Sequence, residues 1–452
     1  MKGLKTTGAR RSPIQNREDR DIGALYAQFH QSMQDWKRQD SQVWVGRESE
    51  LLELGLDVLT SGDFHMRWDA AKLLPQLGTM TIAPLLEWLA DEEAEEELRW
   101  FAGSILETFN QPQTIAAFAE VLQKTDSEDL RQLVAQILGS YGTSALPTLK
   151  ELLAADHTRS WAVRALSCIR DPQVVDLLLD IVPDEDPEVY ARALETLSCW
   201  RDPRVIPALM GGLDSMMAKV RCVAVVGLGI RAQSGPCPSV AIEQVVKGLR
   251  DRLWDFNLSV CEQAAIALGR LATVSAAIAL HTIIRSESTP ESLRITAIRS
   301  LGWMAGDEAD PESQPAALAL QCLLEALHPE TLEENSWLEV VQALGRVQHE
   351  QLQQQASAAL VKCLQEQSLS VRVQSAIALN LGYLQQEDGI PTLVELAGEK
   401  NAAVRLHAIA GLRALGGLGY RKLQQMRWQP NLPDKVRSGL AIVLQEWFVA
   451  RQ

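Results

Sequence analysis

The chain has 452 residues, of which 46% are hydrophobic and 22% are charged, and its formal net charge is −15. This composition is ordinary for a folded protein, and the length exceeds what one globular core fills, so we expect several domains or a repeat array. The acidic balance argues against nucleic-acid binding, which needs a basic face. No apolar run approaches the roughly 18 residues of a membrane-spanning helix.

Motifs for metal, cofactor or catalytic chemistry are missing from the sequence. The seven cysteines form no CxxC pair, and the seven histidines form no HxH or HExxH spacing. Neither GxGxxG nor GxxxxGK[ST] occurs. We therefore predict no catalytic, cofactor-binding or metal-binding residue. Unpaired thiols and the lack of an apolar leader at the N-terminus favour a cytoplasmic protein.

The N-terminal region divides into a tail and two helices. Residues 1–20 carry six basic and two acidic residues, which predicts a disordered basic tail. Apolar residues then recur every three or four positions from residue 21, and a second such pattern begins at Glu48. We predict that residues 21–60 form two capping helices, which cover the apolar end of the array that follows.

A unit with an Arg near its start and a Gly near its end recurs along the rest of the chain. Successive units are 28 to 43 residues apart, and nine of the twelve open with Arg. A second helical pattern, such as TIAPLLEWL, precedes each opening position, so each unit is a helix pair: a helix A, then a helix B that begins at or near the Arg. The prediction is an all-α superhelix, a solenoid of about twelve helix pairs over residues 61–452. The opening positions are Arg67, Arg99, Arg131, Arg159, Tyr190, Arg221, Cys261, Arg294, Trp337, Arg372, Arg405 and Arg437.

A cation at the start of helix B opposes the helix dipole and needs an acceptor. Acidic residues precede several of these Arg residues, so we predict a ladder of ion pairs with loop carboxylates of the same or a neighbouring repeat. These acids are Asp63, Asp129, Asp156 and Asp434. A small residue three positions after the Arg predicts close packing of adjacent helices, and the Gly at the end of the unit predicts a helix C-terminus.

These units resemble HEAT repeats, on the xRxxAxxAL core of helix B and the IPxL of helix A. More narrowly, they are similar to the short HEAT-like units of the phycobilisome-lyase (EZ-type) family. That resemblance implies either an interaction scaffold or a bilin lyase or lyase-isomerase that acts on phycobiliproteins. It carries no short catalytic motif that matches residues of this sequence.

The candidate binding surface lies in the N-terminal units. Trp68 and Trp100 each follow the opening Arg directly, and Trp and Arg are enriched in binding hot spots. In HEAT-like stacking helix B lines the concave side, so these rings are expected to reach the groove. An acidic run at 91–97 flanks the same units and suits a basic partner, although it also fits a solvated turn. The predicted protein-binding residues are Trp68, Trp100, Trp161, Arg99, Arg131, Glu95, Glu96 and Glu97.

Two functions remain open from the sequence. The leading hypothesis is a non-catalytic scaffold that binds another protein in its groove, with no cofactor. The alternative is a phycobilin lyase or isomerase, or a bilin chaperone, with a transient linear tetrapyrrole and a phycobiliprotein partner. Asp255, between aromatics in RLWDFN, is then a candidate acceptor for pyrrole N–H groups, or simply a helix cap. Long connections at 231–239 and 305–315 are further candidates for a partner-binding rim.

Overall fold

The computed structural model describes residues 21–37, 48–233, 239–306, 314–327, 332–366, 368–429 and 432–449. Every regular element in these ranges is helical, with 25 α-helices and three short 3₁₀ segments. The prediction of an all-α solenoid is confirmed. The predicted tail at 1–20 lies outside the described residues, as do most of the connections at 231–239 and 305–315. The chain divides into two units, residues 1–181 and 182–452.

Among its described residues, the first unit contains ten α-helices. In chain order they are α1 (Ile22–Lys37), α2 (Glu48–Ser61), α3 (Phe64–Leu73), α4 (Ile82–Ala90), α5 (Glu96–Leu106), α6 (Pro112–Lys124), α7 (Glu128–Ser140), α8 (Leu146–Leu153), α9 (Asp156–Cys168) and α10 (Gln173–Leu179).

The described part of the second unit contains the other fifteen α-helices. They are α11 (Pro187–Ser198), α12 (Val205–Gly212), α13 (Ala218–Gln233), α14 (Ser239–Arg252), α15 (Leu258–Leu271), α16 (Val274–Arg285), α17 (Glu291–Ala305), α18 (Gln314–Glu325), α19 (Glu334–Gly345), α20 (Glu350–Glu366), α21 (Val371–Tyr383), α22 (Ile390–Ala397), α23 (Ala402–Ala414), α24 (Gly416–Arg427) and α25 (Asp434–Val449).

Within each unit the helices form two layers. Helices B pack side by side, as in the series α3, α5, α7 and α9, and each also packs against the helix A that precedes it. Helix α2 packs against both α1 and α3, so it lies between the first N-terminal helix and the first helix B. The boundary at residue 60 between capping helices and repeats stays a prediction.

The C-terminal pair departs from this arrangement. Helix α25 packs against α22, which is a helix A, rather than continuing the row of helices B. The two backbones approach closely at Gly398 and Gly439, because a Cβ on Gly439 would lie 1.8 Å from the carbonyl oxygen of Val394. Arg437, in α25, therefore does not occupy the position of the other opening Arg residues.

Small residues determine how closely the helices B approach one another. The predicted small positions are completely buried, as expected. The Gly prediction was only partly correct. Gly142 has a φ of +63° after α7, as a C-terminal Gly should, but other Gly residues lie inside helices B. A Cβ on Gly269 would lie 2.7 Å from the Cβ of Ser300 in the next helix B. The completely buried Ala residues are Ala102, Ala162, Ala193, Ala224, Ala264, Ala297 and Ala408.

The opening residue is the fourth residue of its helix B in every pair except that of α21, where Arg372 is the second. From the first turn, several of the Arg side chains reach back to the C-terminal end of helix A. Arg99 donates from Nε and a terminal nitrogen to the carbonyl oxygen of Leu89, at 3.2 Å each, and Arg159 donates to Leu153 at 2.9 Å. A cation is favourable there because the last carbonyls of a helix carry partial negative charge.

The predicted carboxylate ladder is therefore only partly present. Arg159 does pair with Asp156 at 2.6 Å, but Arg131 pairs with Asp126 at 3.6 Å rather than with Asp129. Asp63 does not pair with Arg67; it caps α3 by accepting from the N–H of Met66. Backbone carbonyls, rather than carboxylates, are the more regular acceptors along the chain.

Candidate protein-binding site

The Arg residues predicted to bind a partner are largely occupied within the chain. Arg99 is only 8% exposed, and its guanidinium donates to Leu89 as described above. Arg131 is half-buried and faces Asp126. Arg99 is thus mostly buried and engaged by the end of α4, and its contact with a partner stays a prediction.

The acidic residues at 95–97 also have partners inside the first unit. Arg67, which is 7% exposed, pairs with Glu95 at 3.0 Å and with Glu97 at 2.5 Å. Glu96 accepts a hydrogen bond from the hydroxyl of Ser127, whose side chain also caps α7. These three carboxylates fix the α4–α5 turn to its two neighbouring repeats.

The aromatic side chains at the N-terminus form one connected cluster. Trp68 and Trp100 stack with 6.3 Å between ring centroids and 17° between planes. Phe64 stacks on Trp68 with 6.0 Å between ring centroids, and Phe101 lies edge-on to Trp100 at 5.3 Å. Phe101 is completely buried, whereas Trp68 is 40% exposed, so the cluster extends from the core to the surface.

An open cleft of about 630 Å³ adjoins the Trp pair. It runs along the exposed faces of α3, α5 and α7 and therefore spans three consecutive helices B. Lys72 lies 5.4 Å above the ring of Trp68 and pairs with Asp69 at 3.6 Å. The lining residues are Trp68, Ala71, Lys72, Trp100, Ser104, Glu107, Asp129, Gln132, Leu133 and Gln136.

The sequence pattern predicted the two Trp residues of this cleft but not its polar lining. A usable signal was present: Trp100 and Ser104 in α5, and Glu107 directly after it, recur at helical spacing. Trp161, by contrast, does not line the cleft. It lies one position further along its helix, where the guanidinium of Arg164 stacks over its ring at 5.7 Å. A shift of one residue turns a helical side chain by about 100°, which explains the difference.

Asp255 is not available to a ligand. Its carboxylate is 3% exposed and accepts two hydrogen bonds from Arg221 at 2.7 Å each. Burial alone raises the pKa of this carboxyl, but the hydrogen bonds from Arg221 and from the N–H of Asn257, with the charges of Arg221 and Arg252, lower it overall. The neighbouring rings of Trp254 and Phe256 are exposed.

The second unit has a cleft of its own, of about 790 Å³. It runs along α19, α21 and α23, again a row of helices B, and its wall is mostly apolar. Val371 and Tyr383 are exposed at its surface. The lining residues are Leu338, Gln342, Gly345, Arg346, Val371, Arg372, Ser375, Ala376, Leu379, Asn380, Tyr383, Ala403 and His407.

Clusters of three or more His, Cys, Asp or Glu side chains with metal-binding geometry do not occur among the described residues. None of the described helices is both long and apolar enough to cross a membrane.

Comparison with known proteins gives the family. The HEAT-repeat model matches residues 82–167, 156–229 and 357–445, together more than half of the chain. The chain therefore belongs to the HEAT-repeat family. No curated protein matches it. The narrower phycobilisome-lyase resemblance is not supported by these matches.

Solved structures agree on the fold. The karyopherin Kap121p, crystallised with the extreme C-terminus of the protein phosphatase Cdc14p, is 14% identical with a TM-score of 0.55; the match covers 93% of this chain and 56% of Kap121p. A crystal structure of importin beta is 14% identical with a TM-score of 0.52, and the match covers 94% of this chain and 66% of importin beta. At this identity the similarity establishes the fold alone.

Proposed function

We propose that this protein is a non-catalytic HEAT-repeat scaffold that binds a segment of another protein in the cleft along α3, α5 and α7. The observation that carries the proposal is the stacked pair of Trp68 and Trp100 at the surface of that cleft. A monomer gains little by leaving Trp rings partly in water, whereas rigid aromatic surfaces contribute strongly to binding.

The charges around the cleft favour a basic segment. Glu107 and Asp129 line it, and the one lining cation, Lys72, is already paired with Asp69. An Arg or Lys of a partner can therefore lie against the Trp rings, as Lys72 does in this structure, with a carboxylate within reach. The acidic run at 91–97 adds to the same negative potential and would steer such a partner.

Fold and family support binding of this kind. Solenoids of helix pairs present long surfaces made of equivalent helix faces, and such surfaces suit extended segments. In the similar structure, Kap121p holds the extreme C-terminus of another protein. The proposal transfers only that general mode, a scaffold and a bound segment, to this chain.

A photo-cross-linking experiment tests the location of the site. A benzoylphenylalanine residue replaces Gln132, inside the cleft, or Glu151, on the exposed face of α8 outside it. In cells of the source organism, we expect a specific adduct from position 132 that disappears when Trp68→Ala is added. Equal adducts from both positions, or an adduct that survives Trp68→Ala, would contradict the proposal.

Affinity for the cross-linked partner tests the energetics. Trp68→Ala should weaken binding about thirtyfold, which corresponds to a hot-spot loss of about 2 kcal/mol. Trp161→Ala is the matched control, since it removes a half-buried Trp that does not line the cleft. Thermal unfolding of both variants separates a binding effect from a folding effect. Equal losses of affinity in the two variants would show that the cleft is not the site.

A linear tetrapyrrole is the alternative ligand for the same flat rings. No comparison favours it, and Asp255 is engaged by Arg221. Purification after co-expression with a linear-tetrapyrrole pathway distinguishes the two ligands. We expect a colourless protein, and a visible absorbance band that is lost in Trp68→Ala would favour the tetrapyrrole instead.

A further inference from the structure

The cleft of the second unit differs from the first in its charges. Arg346, Arg372 and His407 line it, and no carboxylate is among its lining residues. The imidazole Nδ1 of His407 lies 2.8 Å from the carbonyl oxygen of Ala403, which can only accept. That nitrogen therefore carries the hydrogen. The cleft thus combines an apolar wall with guanidinium and imidazole groups.

The positive charge of this cleft is not balanced by its neighbours. Glu339 is buried and is shared by Arg299 at 2.9 Å and by Arg346 at 3.7 Å, so one carboxylate faces two guanidiniums. Arg372 donates to the neutral side-chain oxygen of Asn335 at 3.0 Å. Glu334, at the start of α19, accepts from the hydroxyl of Ser370 and does not line the cleft.

One buried polar group in the cleft lacks a partner. Ser375 is 6% exposed, and its hydroxyl makes no hydrogen bond within the described part of the chain. A buried hydroxyl without a partner is costly, so this part of the cleft wall carries an unmet polar group. The exposed side chains of Tyr383 and Val371 line the same cleft.

We propose that the cleft along α19, α21 and α23 binds an acidic protein segment, with an apolar side chain against Val371, Leu379 and Tyr383 and a carboxylate at Arg346 and Arg372. Arg is suited to this role because its guanidinium donates two parallel hydrogen bonds to one carboxylate. This second surface does not depend on the function proposed for the first cleft. Together they would let one chain hold a basic and an acidic segment at once.

Selection from a displayed library of random short peptides tests the proposal on the full-length chain. We expect enrichment of peptides that combine Glu or Asp with a large apolar residue. A fluorescein-labelled peptide from that selection then gives affinities by anisotropy. The double variant Arg346→Glu with Arg372→Glu should weaken binding at least tenfold, and Tyr383→Ala should also weaken it. Affinity should fall as salt is added.

Controls separate this site from general attraction to positive charge. Arg421→Glu reverses the charge of an exposed Arg in α24 outside the cleft, and it should leave the affinity unchanged. Trp68→Ala, in the other unit, should also have no effect. Selection of no acidic peptide, equal binding by the double variant, or preferential binding of a single-stranded oligonucleotide at the same Arg residues would each overturn the proposal.

Discussion

Arg221 and Asp255 join the turns of two successive helix pairs. The Nε and one terminal nitrogen of Arg221 donate to the two oxygens of Asp255, at 2.7 Å each. The other terminal nitrogen donates to the carbonyl oxygens of Ser215 and Met216, at 2.9 Å each. One guanidinium therefore holds the α12–α13 turn to the α14–α15 turn, with both charged groups largely removed from water.

Removal of one member of this pair should be costly. Asp255→Ala leaves the Arg221 guanidinium buried without its carboxylate, and we expect a loss of about 3 kcal/mol. Amide hydrogen exchange at residues 214–217 and 253–257 should report the loss locally, since repeat proteins open in parts. Asp251→Ala breaks an exposed pair with Arg250 and should cost less than about 1 kcal/mol. Similar amide exchange in the Asp255→Ala and Asp251→Ala variants would show that a buried ion pair stabilises the fold no more than an exposed one.

The same carboxylate should make stability depend on pH in the acid range. The folded state lowers the pKa of Asp255, so its contribution is complete above the unfolded pKa of about 4 and is lost as pH falls through the lower folded pKa. Asp255→Asn cannot titrate. The stability difference between wild type and this variant should therefore be constant near neutral pH and should shrink at lower pH. A stability difference that stays constant down to the pH of acid unfolding would contradict a lowered pKa of Asp255 in the folded state.

Two opening Arg residues in neighbouring repeats should differ in their contribution to stability. Arg99→Met removes a buried donor from the carbonyl of Leu89, and we expect a loss of about 1–3 kcal/mol. Arg131→Met removes a pair in which Asp126 is fully exposed, so a smaller change in the melting midpoint is expected. A larger effect at Arg131 would show that its carboxylate pair, rather than the carbonyl contact at Arg99, is the stronger interaction.

Close packing of helices B predicts a third stability contrast. Gly269→Ala places a methyl group 2.7 Å from Ser300 in the next helix B, so the two helices must separate and the melting midpoint should fall. Gly417→Ala meets no atom within 4 Å in α24 and should be neutral or stabilising, because Ala is the better helix former. Equal melting midpoints in the two variants would show that α15 and α17 can separate without a loss of stability.

The fold was predictable because the same local sequence pattern recurs in each repeat. Apolar spacing gave the helices, and the recurring Arg and Ala gave the period. Local spacing could not show that α25 packs against α22, since that depends on contacts between distant residues. It also could not separate Gly142, which ends a helix, from Gly269, which lies inside one; only the neighbour across the interface distinguishes them.

The candidate site was predictable only in part. Trp68 and Trp100 share one register and so share one face, which the sequence showed correctly. Arg99 shares a register with Arg131, yet one is buried and the other half-exposed. Burial at a given register depends on the length of the preceding turn and on the acceptor it supplies, and a repeat pattern contains neither. The second cleft was missed because its residues carry no aromatic repeat.

The reach of several opening Arg residues back to their own helix A has a consequence for synthesis on the ribosome. Arg99 lies ten residues after its acceptor Leu89, and Arg159 lies six after Leu153. The end of helix A therefore becomes capped as soon as the first turn of helix B emerges, before the next pair has been translated. Arg221 can donate to the carbonyls of Ser215 and Met216 at the same stage, but its carboxylate partner Asp255 is synthesised thirty-four residues later. We therefore expect the helix pairs of a nascent chain to fold one after another from the N-terminus. A pair whose ion pair needs a carboxylate from a later repeat reaches its full stability only after that repeat has been synthesised.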